Sequence, residues 1–239
     1  MRSVVVFDGD DTLWWTEPVY DAARSRAAEC VARAGLDATA WETHERAIDV
    51  DNVARFGLGR DRFPTSCVEA YERIASDARR PLDPEVRARV WTIAASVFTT
   101  PAPVADGAPE VLRILAAERP LALLTRGDRE VQELRIARSG LARWFERIDI
   151  VPDKTPERFA ALLRAMRGEA LRSWSVGNSR RSDIDPALAV GMRAVWIDAH
   201  VWEYERLTGH TEHENLYVAA TLRDVLGIIL PKRQKAWPA

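Results

Sequence analysis

Five short apolar runs, each stopped by a polar or turn-forming residue and followed by a helix-length segment, confine this chain to a parallel α/β architecture. Val4-Val5-Val6-Phe7 halts at Asp8-Gly9, and Leu121-Ala122-Leu123-Leu124 halts at Thr125. Ile148-Asp149-Ile150-Val151 runs into Pro152, Ser173-Trp174-Ser175-Val176 into Gly177, and Ala194-Val195-Trp196-Ile197 into Asp198. Runs this short and this rich in β-branched residues read as strands buried on both faces. Helical periodicity fills the intervals, over Ala108 to Glu118, Glu130 to Ser139, Pro156 to Arg167 and Ile184 to Val190. Strand and helix alternating at this spacing specify a Rossmann-like parallel sheet with helices on both faces. A last helix is expected over Leu222 to Leu230.

Residues from about Glu17 to Phe98 break that rhythm. They carry four helical patterns and no strand signal, with breaks at Gly35-Leu36-Asp37, Gly57-Leu58-Gly59 and Arg80-Pro81-Leu82-Asp83-Pro84. The expectation is an all-helical domain over 16–99 inserted into an α/β core formed by 1–15 and 100–239. Pro101, Pro103 and Gly107 would form the return linker.

Open parallel sheets bind their ligands outside the carboxyl ends of the strands. The polar residues that end the expected strands should therefore converge: Asp8 and Asp10, Thr125, Lys154, and Asn178 with Asp183. Carboxylates, a hydroxyl, an ammonium and an amide suit a divalent metal beside a phosphate. Composition sharpens one of these. Of the 34 basic side chains only Lys154, Lys232 and Lys235 are lysines, and Lys154 alone lies before the C-terminal tail. A solitary lysine among arginines points to a position that needs a compact ammonium.

Other classes fit poorly. A net charge of -2 argues against a nucleic-acid binder, which would show a basic face. No apolar run is long enough to span a bilayer, so no membrane partner is expected. Cys30 and Cys67 form neither a metal motif nor a disulfide framework, and a reducing cytoplasm is the expected compartment.

Taken together, these runs resemble the haloacid dehalogenase superfamily. Phe7-Asp8-Gly9-Asp10-Asp11-Thr12-Leu13-Trp14 resembles its first motif, Asp-x-Asp-x-Thr after a hydrophobic strand. Leu123-Leu124-Thr125 resembles the second and Asp153-Lys154-Thr155-Pro156 the third. Val176-Gly177-Asn178-Ser179-Arg180-Arg181-Ser182-Asp183 resembles the fourth, usually Gly-Asp-x-x-x-x-Asp. The motifs stand in the family's order and cover the chain from Val4 to about Asp198. The helical insertion falls where this superfamily places a helical cap of the class that closes over small soluble substrates.

The resemblance implies a phosphatase with Asp8 as nucleophile and Asp10 as general acid and base. Thr125 and Lys154 would bind the phosphate, together with the backbone N–H of Arg126 or Gly127. Mg²⁺ would be held by Asp8, Asp10, Asn178 and Asp183, and the substrate would be a small phosphorylated metabolite. Asn178 departs from the usual Asp and removes one negative charge from the metal site, so either Asn178 or Asp183 is the direct ligand. Trp14 and Trp15 follow the catalytic loop, and one of them is a candidate for the substrate wall. A 2-haloacid dehalogenase is disfavoured because the resemblance implies that such enzymes lack the acid present here as Asp10. A phosphonatase would need a cap lysine, and the insertion has none. A phosphosugar mutase and a non-catalytic phosphate-binding protein stay open as alternatives.

Overall fold

The computed structural model describes residues 1–198, 202–205 and 212–230. The chain runs β1 (Val5–Phe7), α1 (Glu17–Arg33), α2 (Ala38–Asp51), α3 (Val53–Phe56), α4 (Arg62–Asp77), α5 (Pro84–Ala95) and α6 (Ala108–Glu118). It continues through β2 (Leu121–Arg126), α7 (Arg129–Ser139), β3 (Arg147–Val151), α8 (Pro156–Ala165) and β4 (Trp174–Gly177). A single π-helical turn over Arg180–Ile184 leads into α9 (Asp185–Ala189), followed by β5 (Arg193–Ile197), β6 (Leu216–Ala219) and α10 (Asp224–Ile229).

The strands form one parallel sheet in the order β3-β2-β1-β4-β5-β6. Register is set at the centre, where Val5, Val6 and Phe7 face Leu121, Ala122 and Leu123 on one side and Trp174, Ser175 and Val176 on the other. Both faces of β1 are covered, and all three of its residues are buried. One face of the core gathers Val4, Val6, Ala122, Leu124 and Val151 against Phe159, Leu162 and Leu163 of α8. Those three side chains share one helical stripe, which is why α8 docks there. From β1 the chain moves outward to β2 and β3, then returns to β4 on the far side of β1. The order therefore reverses between β1 and β4, and a crevice opens at their carboxyl ends.

The edge strand β6 has no counterpart in the sequence reading. It pairs in parallel with β5, Leu216 to Ala219 facing Ala194 to Ile197. Tyr217 and Val218 lie on the surface, so the segment lacks the buried apolar run that marks the inner strands.

By internal contacts the chain divides into two units. The first contains Met1–Trp14, Val104–Thr125 and the described residues from Ser139 onward; the second contains Trp15–Pro103 and Arg126–Arg138. Inside the second unit α1, α2, α4 and α5 surround Trp41, Phe63, Cys67, Tyr71 and Val90. Asp37 caps α2 by accepting from the backbone N–H of Thr39 and Ala40, at 2.9 and 3.0 Å. Asp83 caps α5 in the same way ahead of Pro84, the favoured first-turn residue. Within this unit Arg60 pairs with Asp128 and Glu130, and Arg138 donates to the carbonyl of Thr99, so α7 is tied down at both ends.

Candidate active site

The loop after β1 is wound around one carbonyl. Gly9 O accepts from the N–H groups of Thr12, Leu13 and Trp14, and Asp11 N–H closes the turn on Trp14 O at 2.7 Å. Asp11 takes a φ of 59°, a conformation that aspartate tolerates better than most residues. A side chain cannot be added at Gly9, because a Cβ there would stand 2.5 Å from the Trp14 ring and 3.2 Å from Thr125 Oγ1. The winding turns Asp8 into the crevice, where it is 8% exposed, and folds Trp14 back beneath the loop.

Asp8 is held on both oxygens. Thr12 Oγ1 donates to Oδ2 at 2.9 Å, and the Lys154 ammonium pairs with Oδ1. Lys154 enters from the loop after β3 and also donates to Asp183 Oδ1 at 2.7 Å. Asp183 accepts the Ser179 backbone N–H on its other oxygen at 3.0 Å, so each of its oxygens has a partner. Gly177 is needed beneath it, since a Cβ there would fall 2.4 Å from Asp183 Cγ. Asn178 Oδ1 lies 3.3 Å from Thr12 Oγ1, which places its amide beside Asp8.

Two carboxylates and one ammonium thus share a space nearly closed to solvent. Burial pushes the Asp8 carboxyl up to about 7, with Asp183 adding to the rise and Lys154 opposing it. Burial draws the Lys154 ammonium down, but Asp183 and Asp8 outweigh it and its pKa ends above the ordinary lysine value.

Asp8, Lys154, Asn178 and Asp183 are therefore linked through side-chain bonds, with Thr12 as the bridge. Thr125 is completely buried at the end of β2, with its hydroxyl next to Gly9. Arg126 ends the same strand, its carbonyl accepting from Gln132 Nε2 at 3.2 Å, and Gly127 follows directly. Asp10 is half-buried and receives the Trp14 indole N–H on Oδ1 at 2.6 Å.

Two contacts were not legible from sequence. Trp14 is 1% exposed and spends its N–H on Asp10, so it is a buried support and not a substrate wall. Glu205, nine-tenths buried, accepts from the hydroxyls of Ser179 and Ser182 and so braces the π-helical turn that carries Asp183. Only the four-residue spacing of Asp10 and Trp14 hinted at the first; nothing in the sequence marked the second.

A Mg²⁺ ion prefers a few oxygen ligands and keeps several waters. Among the described residues, no three Asp, Glu, His or Cys side chains are gathered into a cage. Oxygen donors lie near one another at Asp8 and Asn178, with Asp10 two residues along the loop, and this sparse hard-oxygen set fits Mg²⁺ better than a softer metal.

The family model described as haloacid dehalogenase-like hydrolase matches residues 3–191. A protein named glyceraldehyde 3-phosphate phosphatase, from Pyrococcus abyssi (strain GE5 / Orsay), is 26% identical over 203 residues, covering 82% of this chain and 82% of its own length. The crystal structure of a haloacid dehalogenase-like family hydrolase from Xanthomonas campestris is 28% identical, with a TM-score of 0.76 over 92% of this chain and 91% of that one. L-2-haloacid dehalogenase from Xanthobacter autotrophicus superposes with a TM-score of 0.62 over 98% of this chain and 100% of its own, at 16% identity. At that identity the likeness speaks for the fold alone.

Proposed function

The chain belongs to the haloacid dehalogenase-like hydrolases, and we propose that it is a Mg²⁺-dependent phosphatase of small phosphate monoesters with Asp8 as nucleophile. The observation that carries this reading is the placement of Asp8 between Lys154 and Thr12, with a second acid, Asp10, held two residues away by Trp14. A dehalogenase has no leaving alcohol to protonate and no use for that second acid.

In the proposed reaction a carboxylate oxygen of Asp8 attacks phosphorus and the bond to the ester oxygen breaks. Asp10 gives its proton to the leaving alcohol, which departs as an aspartyl-phosphate forms on Asp8. Asp10, now ionised, takes a proton from water, which attacks the same phosphorus and releases inorganic phosphate and free Asp8. Lys154 offsets the charge of the phosphoryl oxygens and also holds Asp8 in line. The Thr125 hydroxyl and the N–H groups of Arg126 and Gly127 complete the phosphate cradle. Bound Mg²⁺, held by Asp8, the carbonyl of Asp10 and Asn178, would supply the remaining positive charge against an anionic substrate. Asp183 would hold Lys154 in place and, with lone pairs left on both oxygens, could also reach the metal directly or through water.

The inserted helices over 16–99 are assigned as the substrate-selecting cap, on their place between the first and second motifs. The Pyrococcus relative's name favours a three-carbon or similar sugar phosphate as substrate. Among the described residues no helix is long and apolar enough to cross a membrane. Cys30 and Cys67 are buried and unpaired, which suits the reducing cytoplasm proposed as its compartment.

The test is phosphate release from p-nitrophenyl phosphate and a panel of sugar phosphates, with Mg²⁺ or EDTA, beside Asp8→Asn. Release that needs both Mg²⁺ and Asp8 is expected. Turnover that persists in Asp8→Asn would overturn the mechanism, and accumulation of an isomer without free phosphate would make the protein a mutase.

A further inference from the structure

The amino-terminal end of the sheet, opposite the end that carries Asp8, holds a second cluster of charge. A cavity of about 560 Å³ opens there, lined by Ser3, Arg119, Arg172, Trp174, Arg193 and Tyr217 among others. Each of these residues belongs to the first unit, and most lie where a strand begins. Ser3 precedes β1, Arg119 precedes β2, Arg172 and Trp174 enter β4, and Arg193 opens β5. Ser3 is five residues from Asp8 along an extended segment, so the two ends are roughly 16 Å apart.

Three arginines line one space with little to neutralise them. Glu169 reaches Arg172 only at 3.9 Å, and among the described residues no carboxylate pairs with Arg119 or Arg193. Arg119 donates from one terminal nitrogen to Ser3 Oγ at 2.6 Å, while its Nε is buried without a hydrogen-bond partner. Arg193 stacks over the Trp174 ring at 5.3 Å, and Tyr217 packs against the same ring at 5.2 Å. This stacking sets the Arg193 guanidinium beside the cavity wall. The volume lies within the range of small-ligand pockets.

We propose that this cavity is a binding site for a small phosphorylated polyanion, separate from the catalytic centre. Three guanidinium-bearing residues lining one cavity match the several oxygens of a diphosphate or of a metabolite with two phosphates, because charge-assisted N–H donors favour phosphate oxygens. A single carboxylate would leave two of the three unanswered. Gly227 of α10 lies on the rim, and a side chain built there meets nothing within 4 Å, so the cavity has room at that wall.

The experiment is calorimetric titration of pyrophosphate into the full-length protein without divalent metal, in parallel with citrate. Gly227→Glu places a carboxylate at the cavity wall and improves the helix propensity of its position, so folding is not at risk. Arg119→Gln/Arg193→Gln removes two of the three charges. The expected result is saturable pyrophosphate binding that weakens at least about tenfold in both variants, while their phosphate release from p-nitrophenyl phosphate stays at the wild-type rate. Unchanged affinity in the folded variants would place the pyrophosphate elsewhere and overturn the proposal. Absence of saturable binding to the wild type would overturn it as well, and tighter binding of citrate would overturn the phosphate assignment. None of these outcomes depends on Asp8, so this proposal and the phosphatase reading fail separately.

Discussion

The Trp14 indole N–H donates to Asp10 Oδ1 at 2.6 Å, so a side chain in the first unit's core fixes the direction of the proposed acid and base. The hydrogen bond spans one turn of the catalytic loop, and the ring that makes it is the ring that excludes a Cβ from Gly9. Trp14→Phe keeps most of the packing and deletes the donor. A hydrogen bond to a charged group is worth about 1.5–3 kcal/mol, so kcat should fall about ten- to a hundredfold with little change in KM. Steady-state kinetics at saturating Mg²⁺ check this, and an unaltered kcat would remove Trp14 from the mechanism.

Lys154 satisfies Asp8 and Asp183 together, and all three side chains are less than a tenth exposed. Lys154→Met would leave two buried carboxylates facing each other without a cation. Breaking a buried pair in this way costs about 3–5 kcal/mol, so both turnover and melting temperature should drop. Lys154→Arg should not restore activity, because the guanidinium is larger and planar where two carboxylates converge on one ammonium. Thermal unfolding and phosphate release on both variants decide it.

Gly177→Ala tests the packing beneath Asp183. The added methyl would stand 2.4 Å from Asp183 Cγ, and that carboxylate cannot swing away because Lys154 and Ser179 hold it. Overpacking of this kind costs about 1–3 kcal/mol. The expected variant is folded, less stable and much less active, with Lys154 displaced from Asp8. An active variant of normal stability would show that Asp183 has more freedom than its bonds suggest.

A separate charge network lies inside the helical unit. Glu45 is fully buried beside Arg24, at 3.0 Å, and one of its oxygens has no hydrogen-bond partner. Burial pushes its carboxyl up to about 7 from an ordinary 4.5, with Arg24 opposing and Asp49 adding to the rise. The folded protein therefore keeps a proton that the unfolded chain releases between those two values. Stability from this group is complete at low pH and declines as pH rises through about 7. Glu45→Gln removes the titration, so the wild type should lose melting temperature relative to that variant between about pH 4.5 and about pH 7. A constant difference across the range would refute the assignment.

Much of this fold is legible in the amino-acid sequence. The inner strands announce themselves because a strand buried on both faces must be apolar throughout, and each stops where polar groups are required. Asp8, Thr125, Lys154 and Asn178 were identifiable because parallel strands put their carboxyl ends on one edge, so distant positions can be placed together from topology alone. Lys154 stood out further as a lone lysine among arginines.

Other features were decided only when the chain closed on itself. β6 is an edge strand with an exposed face, and its sequence carries no buried run to betray it. The hydrogen-bond partners of Asn178 and Asp183 also came only from the fold: Asp183 accepts from Lys154 and Ser179, while Asn178 lies beside Thr12. Glu205 braces Ser179 and Ser182 from more than twenty residues away, and the arginines around the second cavity are dispersed from 119 to 193. The sequence determined the inner strands, the order of the motifs and which polar residues stand at the strand ends, because these follow from local periodicity and from the polarity of strand ends. Tertiary structure alone decided which partner each charged group takes, because pairing between buried charges depends on distances of a few ångströms that no spacing along the chain encodes.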